Sequence, residues 1–162
     1  MPTGPTKILI LCTGNSCRSI MAEALMNHLG QGWFRAWSAG SVPSGYVHPH
    51  SMTTLKRHGI HPGQPYSKSW NEFAGQPFDL VITVCDQASG ESCPIFPGRP
   101  RKLHWSIPDP AKAYGSEVDI EAAFDRVLFM LKEHIEKLVH SLRLQSLLKG
   151  VETHEGIWKY AE

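Results

Sequence analysis

The chain has 162 residues, of which 41% are hydrophobic and 19% are charged. This length fits one domain of roughly 100–200 residues, and the composition excludes a disordered chain. The formal net charge is +1, which lacks the basic excess typical of nucleic-acid-binding proteins, so we expect no nucleic-acid partner.

Apolar runs and periodic apolar patterns alternate along the chain and predict alternating strands and helices. In chain order the predicted elements are a strand at 7–12, a helix from Ser19 to Gly30, a strand at 34–39, a helix at 51–58, a helical turn at 69–73, a strand at 79–85, a weak helix at 86–92, a strand at 101–107 and a long helix after Ser116. This alternation predicts an α/β fold with a parallel sheet covered by helices. Ligands of such sheets bind beyond the carboxyl ends of the strands, where Cys12, Cys85 and Asp109 are expected.

The apolar stripe of the last predicted helix runs from Ile120 to Leu142. We therefore assign residues 1–149 to a single domain and 150–162 to a polar C-terminal tail.

The first strand and the first helix are joined by Cys12-Thr13-Gly14-Asn15-Ser16-Cys17-Arg18-Ser19. This segment lacks both the Gly-Lys-Ser/Thr of a Walker loop and the glycine spacing of a dinucleotide fingerprint. A short loop at a helix N-terminus directs backbone N–H groups inward and binds anions, and Arg18 adds a planar fork suited to a tetrahedral oxyanion. The helix dipole and the arginine are expected to lower the pKa of Cys12, with Ser19 donating to its thiolate and Asn15 bracing the loop in a left-handed turn. The alternative to a reactive thiol is that Cys12 is a small hydrophobic core residue beside an ordinary turn between a strand and a helix.

The remaining cysteines are Cys17, Cys85 and Cys93, and four thiols in 162 residues are too sparse for a disulfide scaffold. No C-x-x-C or nearby C-x-x-H spacing exists, so zinc is disfavoured. Cys17 is expected to pack beneath the loop, and Cys85 and Cys93 are either inert core residues or a redox pair. No apolar run approaches the ~18 residues of a membrane span, so we expect no membrane association and a cytoplasmic location, where thiols stay reduced.

The segment from Cys12 to Ser19, continued by Ile20-Met21-Ala22-Glu23, resembles the signature of the low-molecular-weight protein tyrosine phosphatases, and within that superfamily the arsenate reductases. The resemblance spans residues 7 to about 140. It includes Ser38-Ala39-Gly40, Val84-Cys85-Asp86, Cys93-Pro94 and Trp105-Ser106-Ile107-Pro108-Asp109-Pro110-Ala111. It implies a three-layer sandwich with a four-stranded parallel sheet flanked by helices.

The resemblance also implies reduction of arsenate to arsenite, with phosphate and sulfate as substrate analogues. Cys12 is then the nucleophile, Arg18 and the loop residues Thr13, Gly14, Asn15, Ser16, Cys17 and Ser19 bind the oxyanion, and Asp109 is the general acid. Cys85 attacks Cys12, Cys93 resolves the resulting disulfide, and thioredoxin or glutaredoxin reduces the last pair. The implied protein is a monomer without a cofactor.

A helix over 85–93 would separate its terminal Cα atoms by roughly 12 Å, whereas a disulfide needs about 4.4–6.8 Å. We therefore predict that any helix there unwinds when Cys85 and Cys93 pair. The spacing of this pair differs by one residue from that of the thioredoxin-coupled form, so the electron donor stays open.

Some relatives bind potassium through positions like Asn15, Glu23 and Ser38 together with an aspartate. Here the matching stretch reads Tyr66-Ser67-Lys68-Ser69, and the Lys68 ammonium is expected to take the place of the ion. We therefore assign no metal ligands, and potassium binding near the loop stays open.

Two other functions are compatible with the loop. A phosphatase of this fold typically carries aromatic residues after Asp-Pro, whereas Ala111-Lys112-Ala113 follow here. A non-catalytic anion or redox sensor has no need for the intact set of Cys12, Arg18 and Asp109.

Overall fold

The structure is a computed structural model that describes residues 4–86 and 96–158, except the side chains of 149–158. Its elements in chain order are β1 (Thr6–Cys12), α1 (Arg18–Leu29), β2 (Phe34–Gly40), α2 (Pro49–Arg57), a 3-10 helix (Trp70–Phe73), β3 (Leu80–Thr83), β4 (Arg101–His104), a second 3-10 helix (Pro110–Lys112) and α3 (Glu117–Trp158). Of the predicted weak helix at 86–92, only residue 86 is among the described residues. Cys93 lies outside them.

The four strands form one parallel sheet in the order β2-β1-β3-β4, which confirms the predicted fold class. The central strand β1 is a continuous apolar run because both of its faces are covered. Ile8 and Ile10 face a core built with the three α-helices, whereas Leu9 and Leu11 face a second core that contains Trp70. The parallel strands place the carboxyl ends of β1 and β3, with Cys12 and Cys85 nearby, at one edge of the sheet.

The strands β3 and β4 end earlier than predicted, at Thr83 and His104. The backbone N–H of Val84 still donates to Leu11 O at 2.9 Å, and that of Trp105 donates to Thr83 O at 2.8 Å. Regular pairing ends at these bonds, and the residues that follow both strands lie at this edge of the sheet.

The predicted N-cap of the long helix is confirmed at Ser116. Its hydroxyl accepts from the N–H of Asp119 at 3.2 Å, and the Asp119 carboxylate accepts from the Ser116 N–H at 3.0 Å, which is a reciprocal cap. The helix runs on to Trp158, past the predicted domain end at residue 149. Within the described residues, no helix combines the length and the hydrophobicity needed to cross a membrane.

Candidate active site

The loop between β1 and α1 rests against the end of β2. Asn15 has a φ of 48°, the left-handed conformation expected for it. A Cβ atom at Gly40 would lie 2.4 Å from the carbonyl oxygen of Thr13, so the loop can approach this strand only because residue 40 is glycine. The N–H of Val42 then donates to Thr13 O at 2.9 Å and fixes the loop from behind.

The sulfur of Cys12 is buried at the base of this loop. The Ser19 hydroxyl oxygen lies 2.8 Å from it, and the backbone N–H of Asn15 donates to it at 3.2 Å. Burial raises the pKa of the Cys12 thiol, while hydrogen bonds from Ser19 and Asn15 and the charge of Arg18 act to lower it. The expectation of a lowered pKa is therefore wrong, because the loop that supplies the hydrogen bonds also removes the sulfur from water.

Behind the thiol, a buried chain of polar side chains leads away from the cavity. The Asn15 amide donates to Ser19 Oγ at 2.7 Å and to Ser38 Oγ at 3.0 Å, and the Ser38 hydroxyl donates to Glu23 Oε2 at 3.0 Å. Because Ser19 Oγ accepts from Asn15, its own proton is available to the sulfur of Cys12. The network thus orients the Ser19 hydroxyl toward the reacting group.

Lys68 lies at the far end of this network and is buried, with 7% of its surface exposed. Its backbone N–H donates to Asn15 Oδ1 at 3.0 Å, and its ammonium donates to Tyr66 O at 3.1 Å. Burial raises the pKa of Glu23, and the Lys68 charge opposes that rise. The lysine therefore supplies positive charge near Glu23, and no group of three or more His, Cys, Asp or Glu side chains is arranged to hold a metal within the described ranges.

Arg18 and Asp109 line the same cavity as Cys12 and contact each other there. Arg18 Nη1 donates to Ile107 O at 3.1 Å, and Nη2 lies 3.7 Å from Asp109 Oδ2. The buried Arg18 Nε has no hydrogen-bond partner among the residues that the structure describes, which leaves a donor for a bound anion. The N–H of Ala111 donates to Asp109 Oδ1 at 3.0 Å and holds the carboxylate at the start of the second 3-10 helix.

These groups surround one cavity of about 440 Å³. Its lining includes Cys12, the loop through Arg18, Cys85 and Asp109. The sulfur of Cys85 is buried and lies 3.4 Å from Thr13 Oγ1. The structure therefore brings together four of the five residues predicted to be catalytic, and the fifth, Cys93, lies outside the described residues.

Two further predicted site residues, Ser19 and Cys17, are also buried. Ser19 is fully buried behind Cys12, so its hydroxyl contacts the thiol and not the cavity. Cys17 is 3% exposed, its sulfur lies 3.7 Å from Ser16 Oγ, and burial raises its pKa. The low exposure of Cys17 fits the predicted packing role, although the residue also lies along the cavity.

The sequence interpretation overlooked two charged residues that line the cavity, Asp86 and Lys112. Asp86 directly follows Cys85 and Lys112 lies three residues after Asp109, so their proximity in sequence to predicted site residues was the available signal.

Comparison with known proteins identifies the family of the chain. Residues 7–148 match the family described as low molecular weight phosphotyrosine protein phosphatase. An arsenate reductase of Bacillus licheniformis is 37% identical over 135 residues, which cover 83% of this chain and 95% of that protein. The crystal structure of an arsenate reductase from Archaeoglobus fulgidus superposes with a TM-score of 0.65 at 32% identity, covering 82% of this chain and 98% of that one. An arsenate reductase in the phosphate binding state gives a TM-score of 0.67 at 28% identity, covering 85% and 98%.

Proposed function

The chain belongs to the low-molecular-weight phosphotyrosine protein phosphatase family, and we propose that within this family it is an arsenate reductase. The observation that carries the proposal is the buried thiol of Cys85, which lies outside the loop and yet lines the same cavity as the loop cysteines Cys12 and Cys17. A phosphatase needs only Cys12, because water completes its reaction. Reduction needs another thiol to take up the bond to the first sulfur.

Arsenate binds as a tetrahedral oxyanion between the loop and Arg18. Donors in fixed positions are supplied by the backbone N–H groups of the loop and by Arg18 Nε, which has no partner among the described residues. Phosphate and sulfate have the same shape and charge, so they bind as analogues. Lys112 adds a positive charge to the lining of the cavity.

In the first step the sulfur of Cys12 attacks arsenic, a sulfur–arsenic bond forms and an arsenic–oxygen bond breaks. The Asp109 carboxyl gives a proton to the departing oxygen, which leaves as water. Because burial raises the pKa of Cys12, its proton must first pass to an oxygen of the bound arsenate, which leaves the sulfur as a thiolate for the attack. The Ser19 hydroxyl and the Asn15 N–H then stabilise the sulfur anion.

In the second step the Cys85 thiolate attacks the sulfur of Cys12. A disulfide forms, the sulfur–arsenic bond breaks and its electron pair stays on arsenic, which leaves as arsenite. Arsenic gains two electrons and the two sulfurs together lose two. Cys93 then attacks Cys85, which frees Cys12 and leaves a Cys85–Cys93 disulfide for thioredoxin or glutaredoxin to reduce. The protein acts as a cytoplasmic monomer in arsenic resistance.

The proposal is tested with the wild type and Cys85→Ser. Arsenate-dependent NADPH oxidation is measured with thioredoxin and its reductase, and in parallel with glutaredoxin, glutathione and glutathione reductase. We expect turnover by the wild type in at least one system and none by the variant, whereas turnover that survives Cys85→Ser contradicts the relay.

A parallel assay with an aryl phosphate separates the other functions. Fast cleavage of the aryl phosphate by both proteins, without arsenate reduction, identifies a phosphatase. Absence of both activities in the wild type favours a non-catalytic sensor.

A further inference from the structure

His104, the last residue of β4, contacts the chain on both sides of Cys85. Its Nδ1 lies 2.7 Å from Thr83 Oγ1, two residues before Cys85, and its Nε2 lies 2.8 Å from Asp86 Oδ1, the residue directly after Cys85. We propose that His104 is a positioning residue that holds the backbone of Cys85 so that its sulfur lies on the cavity of Cys12. This inference rests on the proposed arsenate reductase function.

The register of the sheet places the His104 imidazole beside Thr83. His104 is the register partner of Thr83 in the parallel pairing of β3 with β4. Regular pairing ends there, and the next backbone bonds link Trp105 N to Thr83 O at 2.8 Å and Ile107 N to Val84 O at 3.2 Å. The imidazole therefore extends beyond the end of the sheet and contacts Asp86. Regular strand pairing no longer holds the backbone in place at that residue.

The hydrogen-bonding groups of Thr83, His104 and Asp86 are complementary, so the imidazole can link the other two side chains; we call this the His104 bridge. An ionised carboxylate only accepts hydrogen bonds, so Nε2 carries a proton and donates to Asp86. In the neutral imidazole Nδ1 then accepts from the Thr83 hydroxyl, a tautomer that we infer from this pattern. Hydrogen bonds from His104 and from Ser106 lower the pKa of Asp86, so its carboxylate remains ionised at neutral pH.

Positioning of Cys85 accounts for the His104 bridge better than stabilisation of the fold does. The side chains of His104 and Asp86 are 35% and 78% exposed, and ion pairs at this exposure contribute little to folding. The position of Cys85 is more sensitive, because a misplacement of about 1 Å can cost roughly 100-fold in the rate of a reaction between two held groups. The sulfur of Cys85 lies 3.4 Å from Thr13 Oγ1, so a shift of its backbone changes its approach to Cys12.

The test follows arsenite release in a single turnover, with reduced protein, excess arsenate and no electron donor. We expect His104→Ala to slow this release by roughly 10- to 100-fold, while iodoacetamide alkylates Cys12 at the wild-type rate in a Cys85→Ser background. His104→Gln, which retains a donor toward Asp86, restores part of the rate. His104→Ala releasing arsenite at the wild-type rate overturns the proposal, as does equal slowing of Cys12 alkylation.

A second variant covers the case in which His104→Ala fails to fold. The double variant Thr83→Val with Asp86→Ala keeps the imidazole and removes both of its partners, and we expect the same slow release. His28→Ala, a histidine at the exposed end of α1, is the matched control and is expected to release arsenite normally. If the wild type itself releases no arsenite, the proposed function fails; equal rates in the wild type and both His104-bridge variants refute only the positioning role.

Discussion

The Ser19 hydroxyl oxygen lies 2.8 Å from the sulfur of Cys12 and accepts a hydrogen bond from the Asn15 amide at 2.7 Å. These two hydrogen bonds direct the Ser19 hydroxyl toward a buried thiol and stabilise its thiolate form. Burial raises the pKa of Cys12, and the serine is the largest of the influences that oppose the rise. Ser19 therefore acts on the sulfur and not on the substrate.

Ser19→Ala is expected to raise the pKa of Cys12 further, because it removes a hydrogen bond to the thiolate. At a fixed pH below that pKa, the rate of iodoacetamide alkylation should fall roughly 3- to 10-fold. The pH profile of alkylation should move to higher pH without a change in its plateau. Ser41→Ala is the control, since Ser41 Oγ is buried without a hydrogen-bond partner in the described part of the chain. An unchanged profile in Ser19→Ala would contradict this role.

Asp109→Asn should slow arsenite release by about 100- to 10,000-fold, the usual contribution of a general acid. Asparagine keeps the acceptor for the Ala111 N–H and removes a negative charge 3.7 Å from Arg18. Phosphate affinity, measured by calorimetry, should therefore stay equal or increase. A variant that loses phosphate binding in parallel with activity would show that Asp109 is needed to build the site, and not to transfer a proton.

Lys68→Met should destabilise the fold by about 2 kcal/mol at neutral pH, between the values typical of exposed and of buried ion pairs, because it leaves the half-buried Glu23 carboxylate without its nearby cation. Burial already raises the pKa of Glu23, and loss of Lys68 raises it further. As the pH falls through this raised pKa, Glu23 becomes neutral in the folded state and the penalty shrinks. Thermal unfolding at pH 7 and pH 5 should show the larger deficit at pH 7. The double variant Glu23→Gln with Lys68→Met should recover stability at pH 7; a deficit that is the same at both pH values would refute the coupling.

Gly40→Ala should disturb the loop and lower stability by about 2 kcal/mol, because the added methyl group would lie 2.4 Å from the Thr13 carbonyl oxygen. Urea unfolding and the rate of Cys12 alkylation report the two effects. Gly4→Ala is the matched control, since among the described residues no atom outside its chain neighbours lies within 4 Å of the position of its Cβ. Wild-type stability in Gly40→Ala would mean that the loop does not rest on this strand.

The order of the elements, the parallel sheet and the loop that follows β1 could all be predicted from the sequence. Each of these depends on residues close together in the chain: the apolar run of β1, the periodic stripe of α3 and the spacing from Cys12 to Arg18. Strand pairing follows from the alternation of strands and helices because few topologies connect them. The resemblance added Asp109 and Cys85, which local patterns alone left ambiguous.

The burial of Cys12 and the contacts of His104 depend on the folded chain. The pKa of a buried thiol is set by how much water the surrounding elements exclude, and the sequence does not show that balance between burial and hydrogen bonds. The bridge from His104 to Thr83 and Asp86 requires the register of β3 against β4, which joins residues 18 to 21 positions apart. Such distances depend on packing between elements, so they appear only when the chain is folded.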